Sequence, residues 1–313
     1  MSFSSELKEE LSKISTKNKE CCKLSELAGY LITNCNISRD NDEFVLKMTT
    51  ESTSAIRRVY NAFRVLYDVT PVTNIDQKLE GKDTLLELVV SDKMDLQKIF
   101  SNSWINIDVS LQIVIDDKNQ IKQNECCMRS FIRGVFMGGG SITDPNSSNH
   151  LEVVLNNGQN ANFINSVLTE LGISAKIMKR KNMFVIYIKD AETISNFLIM
   201  IGSNKSTIEY EQARALKDYR NYRNRKDNCE TANWDKTAKA ASMQQKDILD
   251  IKEAKMFEKL PIKLRQVANL RMKYPMADLV EIGNMLEPKL SKAGVSHRFK
   301  KINEIAEEIR KGK

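Results

Sequence analysis

Apolar and polar residues alternate in two short runs, EFVLKMTT at 43–50 and HLEVVLNN at 150–157. Period-two alternation over that length predicts strands. Apolar residues at helical spacing follow each run, in TSAIRRVYNAFRVLYD (53–68) and QNANFINSVLTELG (159–172). Two further short strands come next in each case, VTPVTNID with TLLELVVSD, then SAKIMKRK with MFVIYIKD. The turns inside these pairs hold Gly81 and Lys82 in the first series, Lys181 and Asn182 in the second. A helix closes each series, MDLQKIFSN at 94–102 and ETISNFLIM at 192–200.

Two near copies of one helix precede these series, ECCKLSELAGYL at 20–31 and ECCMRSFIRGVF at 125–136. Both begin Glu-Cys-Cys, and Gly29 and Gly134 follow the second Cys at the same distance. The order helix–strand–helix–strand–strand–helix therefore occurs twice. It predicts two halves, about 1–110 and 120–204, related by a pseudo-twofold axis. Helices covering one face of each sheet bury it most simply. A glycine at matching positions lets two helix backbones approach closely, since no Cβ intervenes. GGGS at 138–141 lacks the spacing and the Lys of a phosphate loop. It reads as the end of the second motif helix and a turn through TDPNSS.

Beyond residue 204 the pattern becomes helical throughout. Residues 209–251 contain no Pro or Gly and form a basic connector over about 205–254. Arg220, Arg223, Arg225 and Lys226 crowd its first half, with Tyr219 and Tyr222 among them. The connector is either a phosphate-contacting element or a solvated joining helix. In 255–313, Pro261 suits the first turn of a helix whose apolar residues are Leu264, Val267, Ala268 and Met272. Asp278 with Glu281 has capping-box spacing. Pro288 and Gly294 then turn the chain into a last helix starting near Val295. Its apolar residues Val295, Phe299, Ile302, Ala306 and Ile309 span roughly 80° of an ideal helix. His297 and Lys301 lie opposite, Arg298 and Lys300 on the flanks, and the acids Glu304, Glu307 and Glu308 come later. A recognition helix puts its N-terminal part in the major groove. The arrangement therefore predicts a helix-turn-helix, with Ser291, Lys292 and Ser296 beside the reading helix.

Charge supports that placement. The net charge of +7 is uneven. Residues 1–202 hold 23 Lys and Arg against 25 Asp and Glu, whereas 203–313 hold 25 against 16. A basic C-terminal third suggests a polyanion partner. The N-terminal MSFSSELKEELSKI carries acids where a secretion signal needs a basic head, so it reads as an amphipathic helix of a cytoplasmic protein. No apolar run reaches membrane-spanning length. The six cysteines form no CxxC pair and only two histidines exist, so no metal ligand set is apparent at sequence spacing. The vicinal pairs read as small apolar residues inside helices.

LAGYLITNCN (27–36) and IRGVFMGGGS (132–141) resemble two degenerate copies of the motif of the LAGLIDADG homing endonucleases. That resemblance implies motif helices packed at a twofold axis and a metal-holding acid near each motif's end. Here those positions hold Asn34 and Gly139. Neither is a carboxylate, so the resemblance comes without the ligands for a hard catalytic cation. Asp144 lies nearby but does not rebuild a pair.

End to end the chain is identified as resembling the WhiA family. The matching stretches are SFSSELKEEL, RSFIRGVFMGGGSITDP, LKDYRNYRNRKDNCETAN and LSKAGVSHRFKKINEIA. The resemblance implies an α+β protein with a duplicated LAGLIDADG-like domain over 1–204, then the connector, then a helix-turn-helix domain similar to a sigma-factor promoter-reading region. It implies a DNA-binding transcription regulator of cell division, chromosome segregation or sporulation, at the nucleoid, with no nuclease activity and no cofactor. Double-stranded DNA is the expected partner, and a sigma factor or another transcription or division protein is a candidate partner of the N-terminal domain. The alternative is a nucleoid-associated or protein-docking factor.

Overall fold

The computed structural model describes residues 2–15, 19–40, 43–76, 85–116 and 118–312. The first-series turn at Gly81 and Lys82 lies outside them. The chain divides into two compact units, residues 1–218 and 219–313.

In the first unit the repeat dictates the architecture. Helix α1 (Phe3–Ser12) buries Phe3, Leu7 and Leu11, the face its period predicts. One series runs α2 (Glu20–Asn34), β1 (Cys35–Asp40), β2 (Glu43–Thr50), α3 (Thr53–Tyr67), β3 (Val72–Asp76), β4 (Leu85–Val90) and α4 (Lys93–Asn102). A two-stranded hairpin, β5 (Ile105–Ile107) and β6 (Ile113–Ile115), separates the series. The second runs α5 (Glu125–Gly139), β7 (Gly140–Ile142), β8 (Leu151–Leu155), α6 (Gly158–Glu170), β9 (Lys176–Arg180), β10 (Met183–Ile188) and α7 (Ala191–Ile201). The sheets have matching antiparallel orders, β1-β2-β4-β3 and β7-β8-β10-β9.

The sequence pattern missed β1, β7 and the hairpin. β1 and β7 continue straight from their motif helices without turn residues, and β7 is three residues long. Gly138 and Gly139 thus end the helix as expected, but Gly140 opens a strand before the chain turns at Asp144. In the β9–β10 turn, Lys181 takes a left-handed conformation at φ 55°. Buried Asn160 of α6 stitches the hairpin down. Its amide donates to Ile113 O at 2.7 Å, and its carbonyl accepts from Ile115 N at 3.1 Å.

Helices α2 and α5 run side by side in the same direction through the centre of the core. A Cβ on Gly29 would stand 2.3 Å from Phe131 O, and one on Gly134 only 1.9 Å from Glu26 O. No real Cβ sits so close to a backbone oxygen. Both glycines are thus required by the crossing.

Helix α8 (Asn204–Glu253) begins in this unit. Glu10 caps its start, accepting from Lys205 N at 2.8 Å and Ser206 N at 3.0 Å. Tyr210 joins the core. Residues 218–237 are exposed on all sides.

In the second unit, the end of α8 supplies Ile248 and Ile251 to a separate core. That core is completed by α9 (Ile262–Lys273), α10 (Leu279–Asn284) and α11 (Lys292–Lys311). The expected capping box forms. Asp278 accepts from Glu281 N at 2.8 Å, and Glu281 accepts from Asp278 N at 2.8 Å. Past α10 the chain folds back so tightly that a Cβ on Gly283 would meet Leu290 O at 2.2 Å. Gly283→Ala is therefore expected to lower the stability of this unit by about 1–3 kcal/mol in urea unfolding, by overpacking.

Candidate nucleic-acid interface

The C-terminal ends of α2 and α5, where the motif comparison places catalytic acids, are held together by other means. The Asn34 amide donates to Gly138 O across the helix pair at 3.0 Å, and its carbonyl accepts from Thr49 N at 3.3 Å. A Cβ on Gly139 would lie 3.0 Å from Val154 O and 3.1 Å from Thr33 Cβ, a tight fit that would press on both neighbours. Asp144 is exposed and accepts from Asn146 N at 2.7 Å, as a turn residue does.

The centre of the pair holds a charge network that residue spacing did not signal. Glu26 is 7% exposed and meets two arginines. Arg58 of α3 clasps both of its carboxylate oxygens, and Arg133 of α5 reaches one at 3.2 Å. Arg58 also donates to Ser12 O at 2.8 Å, and Arg133 to Ile201 O at 2.9 Å. One carboxylate and its two arginines thus tie three helices, α2, α3 and α5, to the C-terminal ends of α1 and α7.

In the second unit α11 begins three residues before the expected start. Ser291 is its N-cap, its hydroxyl accepting from Gly294 N at 3.3 Å. Gly294 is therefore inside the first turn and does not bend the chain. The Ser-x-x-Gly spacing hid this, because Gly reads as a breaker in sequence. Val295, Phe299, Ile302 and Ala306 are buried, as the period required. Lys292, Ser296, His297, Lys300 and Lys301 are exposed. Arg298 is half-buried and donates to Lys263 O of α9 at 3.2 Å, so part of its donor set is committed within the unit.

Arg271 of α9 fixes the approach to α10. It is 1% exposed and donates to Gln244 Oε1 at 3.0 Å, Pro275 O at 3.1 Å and Ala277 O at 2.6 Å. Its guanidinium also stacks 5.4 Å from the Phe299 ring centre of α11. Burial pulls its pKa below the usual arginine value. At the far end of α11, Arg310 pairs with Asp247 at 2.6 Å and Asp250 at 2.5 Å of α8.

The connector cations are arranged differently. Arg220, Arg223, Arg225 and Lys226 are all exposed. On an ideal helix they point in directions spread over most of a turn, so they surround α8 and form no stripe. Arg223 and Lys226 have loose partners at 3.9 Å in Asp227 and Glu230.

Three family models match nearly end to end. They are the WhiA N-terminal LAGLIDADG-like domain over 20–102, the WhiA LAGLIDADG-like domain over 128–220 and the WhiA C-terminal HTH domain over 224–306. The chain belongs to the WhiA family. A relative from Ruminiclostridium cellulolyticum, named "Probable cell division protein WhiA", is 38% identical over 99% of both chains. A second with the same name, from Oceanobacillus iheyensis, is 36% identical over 100% of this chain and 99% of its own. The crystal structure of full-length DUF199/WhiA from Thermatoga maritima is 25% identical, with a TM-score of 0.57 over 98% of this chain and 99% of that one. As the WhiA resemblance implied, the fold is α+β, with duplicated LAGLIDADG-like halves and a C-terminal helix-turn-helix. Among the described residues of this WhiA-family protein, no helix is long and apolar enough to cross a membrane.

Proposed function

We propose that this chain binds double-stranded DNA in a sequence-specific way and regulates transcription in cell division, chromosome segregation or sporulation. On this reading residues 1–204 are the duplicated body, 205–254 the basic connector and 255–313 the reader, working at the nucleoid in the cytoplasm. The observation that carries it is the sidedness of α11 in a WhiA HTH domain. Its apolar side is buried, and its first half presents Lys292, Ser296, His297, Lys300 and Lys301 outward. Lysines at such a surface neutralise phosphates and reach guanine acceptors, while serines accept or donate at base edges. Ser291 sets the start of the helix and Arg298 braces it against α9 while keeping free donors. The connector cations add sequence-independent phosphate contact.

The same reading assigns no cleavage. Asn34 spends its amide and its carbonyl on structure, and Gly139 supplies no carboxylate. Supercoiled plasmid incubated with the protein and Mg²⁺ or Mn²⁺ is expected to stay supercoiled; nicked product would contradict this. Genome-wide mapping of bound DNA tests specificity. Discrete sites are expected, and uniform coverage would favour a general nucleoid role.

A second role for the first unit rests on its sheets. Residues 1–202 are net acidic, and Val72 and Ile75 of β3 are 59% and 65% exposed. A duplex-gripping surface is basic; β3 holds no Lys or Arg and exposes these two apolar side chains, which suits a protein such as a sigma factor or another transcription or division protein, whereas β9 of the other sheet is basic. Val72→Asp/Ile75→Asp is expected to end co-purification with that partner without changing DNA affinity. Unchanged co-purification would remove the idea.

A further inference from the structure

The N-terminal ends of α2 and α5 lie opposite to the degenerate motif ends and carry the two Glu-Cys-Cys sequences. Sequence spacing suggested no ligand set, because the pairs are 105 residues apart. The helix crossing brings them together. The sulfurs of Cys21, Cys22 and Cys127 all lie within 4.8 Å of one another. Cys126 stands outside this trio but beside Cys22, as Cys21 stands beside Cys127. The two contacts are exchanged by the pseudo-twofold. Ser25 and Ser130, themselves 0% and 4% exposed, flank the sulfurs at equivalent repeat positions. Cys22 and Cys127 are 3% and 1% exposed.

We propose that Cys21, Cys22, Cys126 and Cys127 form a closed tetrathiolate site for one Zn²⁺, bridging the two halves of the N-terminal unit. The donor chemistry selects the ion. Four sulfurs without a carboxylate or histidine suit a soft, tetrahedral metal and not a hard hydrolytic cation. At Zn–S distances of about 2.3 Å the sulfurs stand roughly 3.8 Å apart. Three of the sulfurs already lie within 4.8 Å of one another, and Cys126 would swing in beside Cys22 to complete the tetrahedron. Electrostatics agrees. Four thiolates around Zn²⁺ leave an excess negative charge, and two parallel helix N-termini direct about half a positive charge each toward it. Neither helix has a side-chain N-cap. Lys19 adds a full positive charge beside Cys126. Metal binding would release the thiol protons to solvent as the four bonds form.

The site would act as a third clamp on the helix pair, together with the glycine crossing at its middle and the Asn34 bond at its other end. This is a structural role, separate from the DNA-reading proposal. It stands or falls without affecting that reading.

The test uses the full chain, reduced and metal-free, titrated anaerobically with Co²⁺ as a spectroscopic stand-in. The expected result is intense tetrahedral ligand-field bands and a thiolate charge-transfer band, saturating at one Co²⁺ per chain and bleached by one equivalent of Zn²⁺. Cys21→Ser, at the half-buried position, is expected to weaken Co²⁺ binding at least ~100-fold, and Cys127→Ser likewise. Cys229→Ser, on the exposed part of α8, is expected to leave it unchanged. Circular dichroism checks that each variant folds. If one does not, the wild-type spectrum still decides. Absence of the charge-transfer band in folded wild type overturns the proposal, as does an unchanged titration in folded Cys21→Ser. Isolation of the native protein with these thiols joined as disulfides, and no metal uptake after reduction, also overturns it.

Discussion

Glu26→Gln is expected to destabilise the N-terminal unit by about 3–5 kcal/mol, the usual consequence of removing one partner from a buried ion pair. The carboxylate side chain is 9% exposed, and its partners Arg133 and Arg58 are 10% and 18% exposed. Glutamine keeps the shape and one acceptor oxygen but removes the negative charge. Two guanidiniums then lose their shared counter-charge in a place with little water. Arg58 and Arg133 retain their bonds to Ser12 O and Ile201 O, so they stay anchored beside the lost charge. Urea unfolding followed by a probe in the first unit checks this. A loss below about 1 kcal/mol would place the network among ordinary surface pairs. Replacing Glu26 and both arginines together by apolar residues of similar size is expected to recover much of the loss.

Gly134→Ala is the second large effect. In an exposed helix this change stabilises by roughly 1 kcal/mol through propensity. Here the new Cβ would stand 1.9 Å from Glu26 O and 2.8 Å from its carbonyl carbon, both backbone atoms. Neither can rotate away, so α2 and α5 must separate. Separation strains the neighbouring contact of Gly29 on Phe131 O and the Arg133–Glu26 pair together. The net loss is expected at the top of the ~1–3 kcal/mol range for overpacking, or beyond it. Gly172→Ala is a useful comparison, since nothing lies within 4 Å of its Cβ position and its φ of 76° alone opposes a side chain. A Gly134→Ala protein as stable as wild type would mean that the helix backbones do not touch.

The periodic elements were legible because their signal is local. β2 at 43–50 and α3 at Thr53–Tyr67 follow the pattern almost residue for residue, and Asp278 with Glu281 announced α10. The glycine crossing was legible because the repeat showed it twice. What stayed hidden depends on the fold. A buried Glu26 or Arg271 has the same letter as a surface charge, and its burial is decided by helices far apart in sequence. The cysteine cluster needs two segments 105 residues apart to meet. The early start of α11 was concealed by Gly294, a residue that breaks helices on average but here sits where Ser291 caps it.

The central claim is that the exposed cations of α11 grip DNA. The salt dependence of affinity for a mapped genomic site, measured by fluorescence anisotropy, tests it most directly. For the wild type, log affinity is expected to fall linearly with log salt. Lys292→Ala/Lys300→Ala/Lys301→Ala is expected to reduce that slope by up to about 2.7, since each neutralised phosphate contributes about 0.9. A folded triple variant with unchanged affinity and slope would contradict the account.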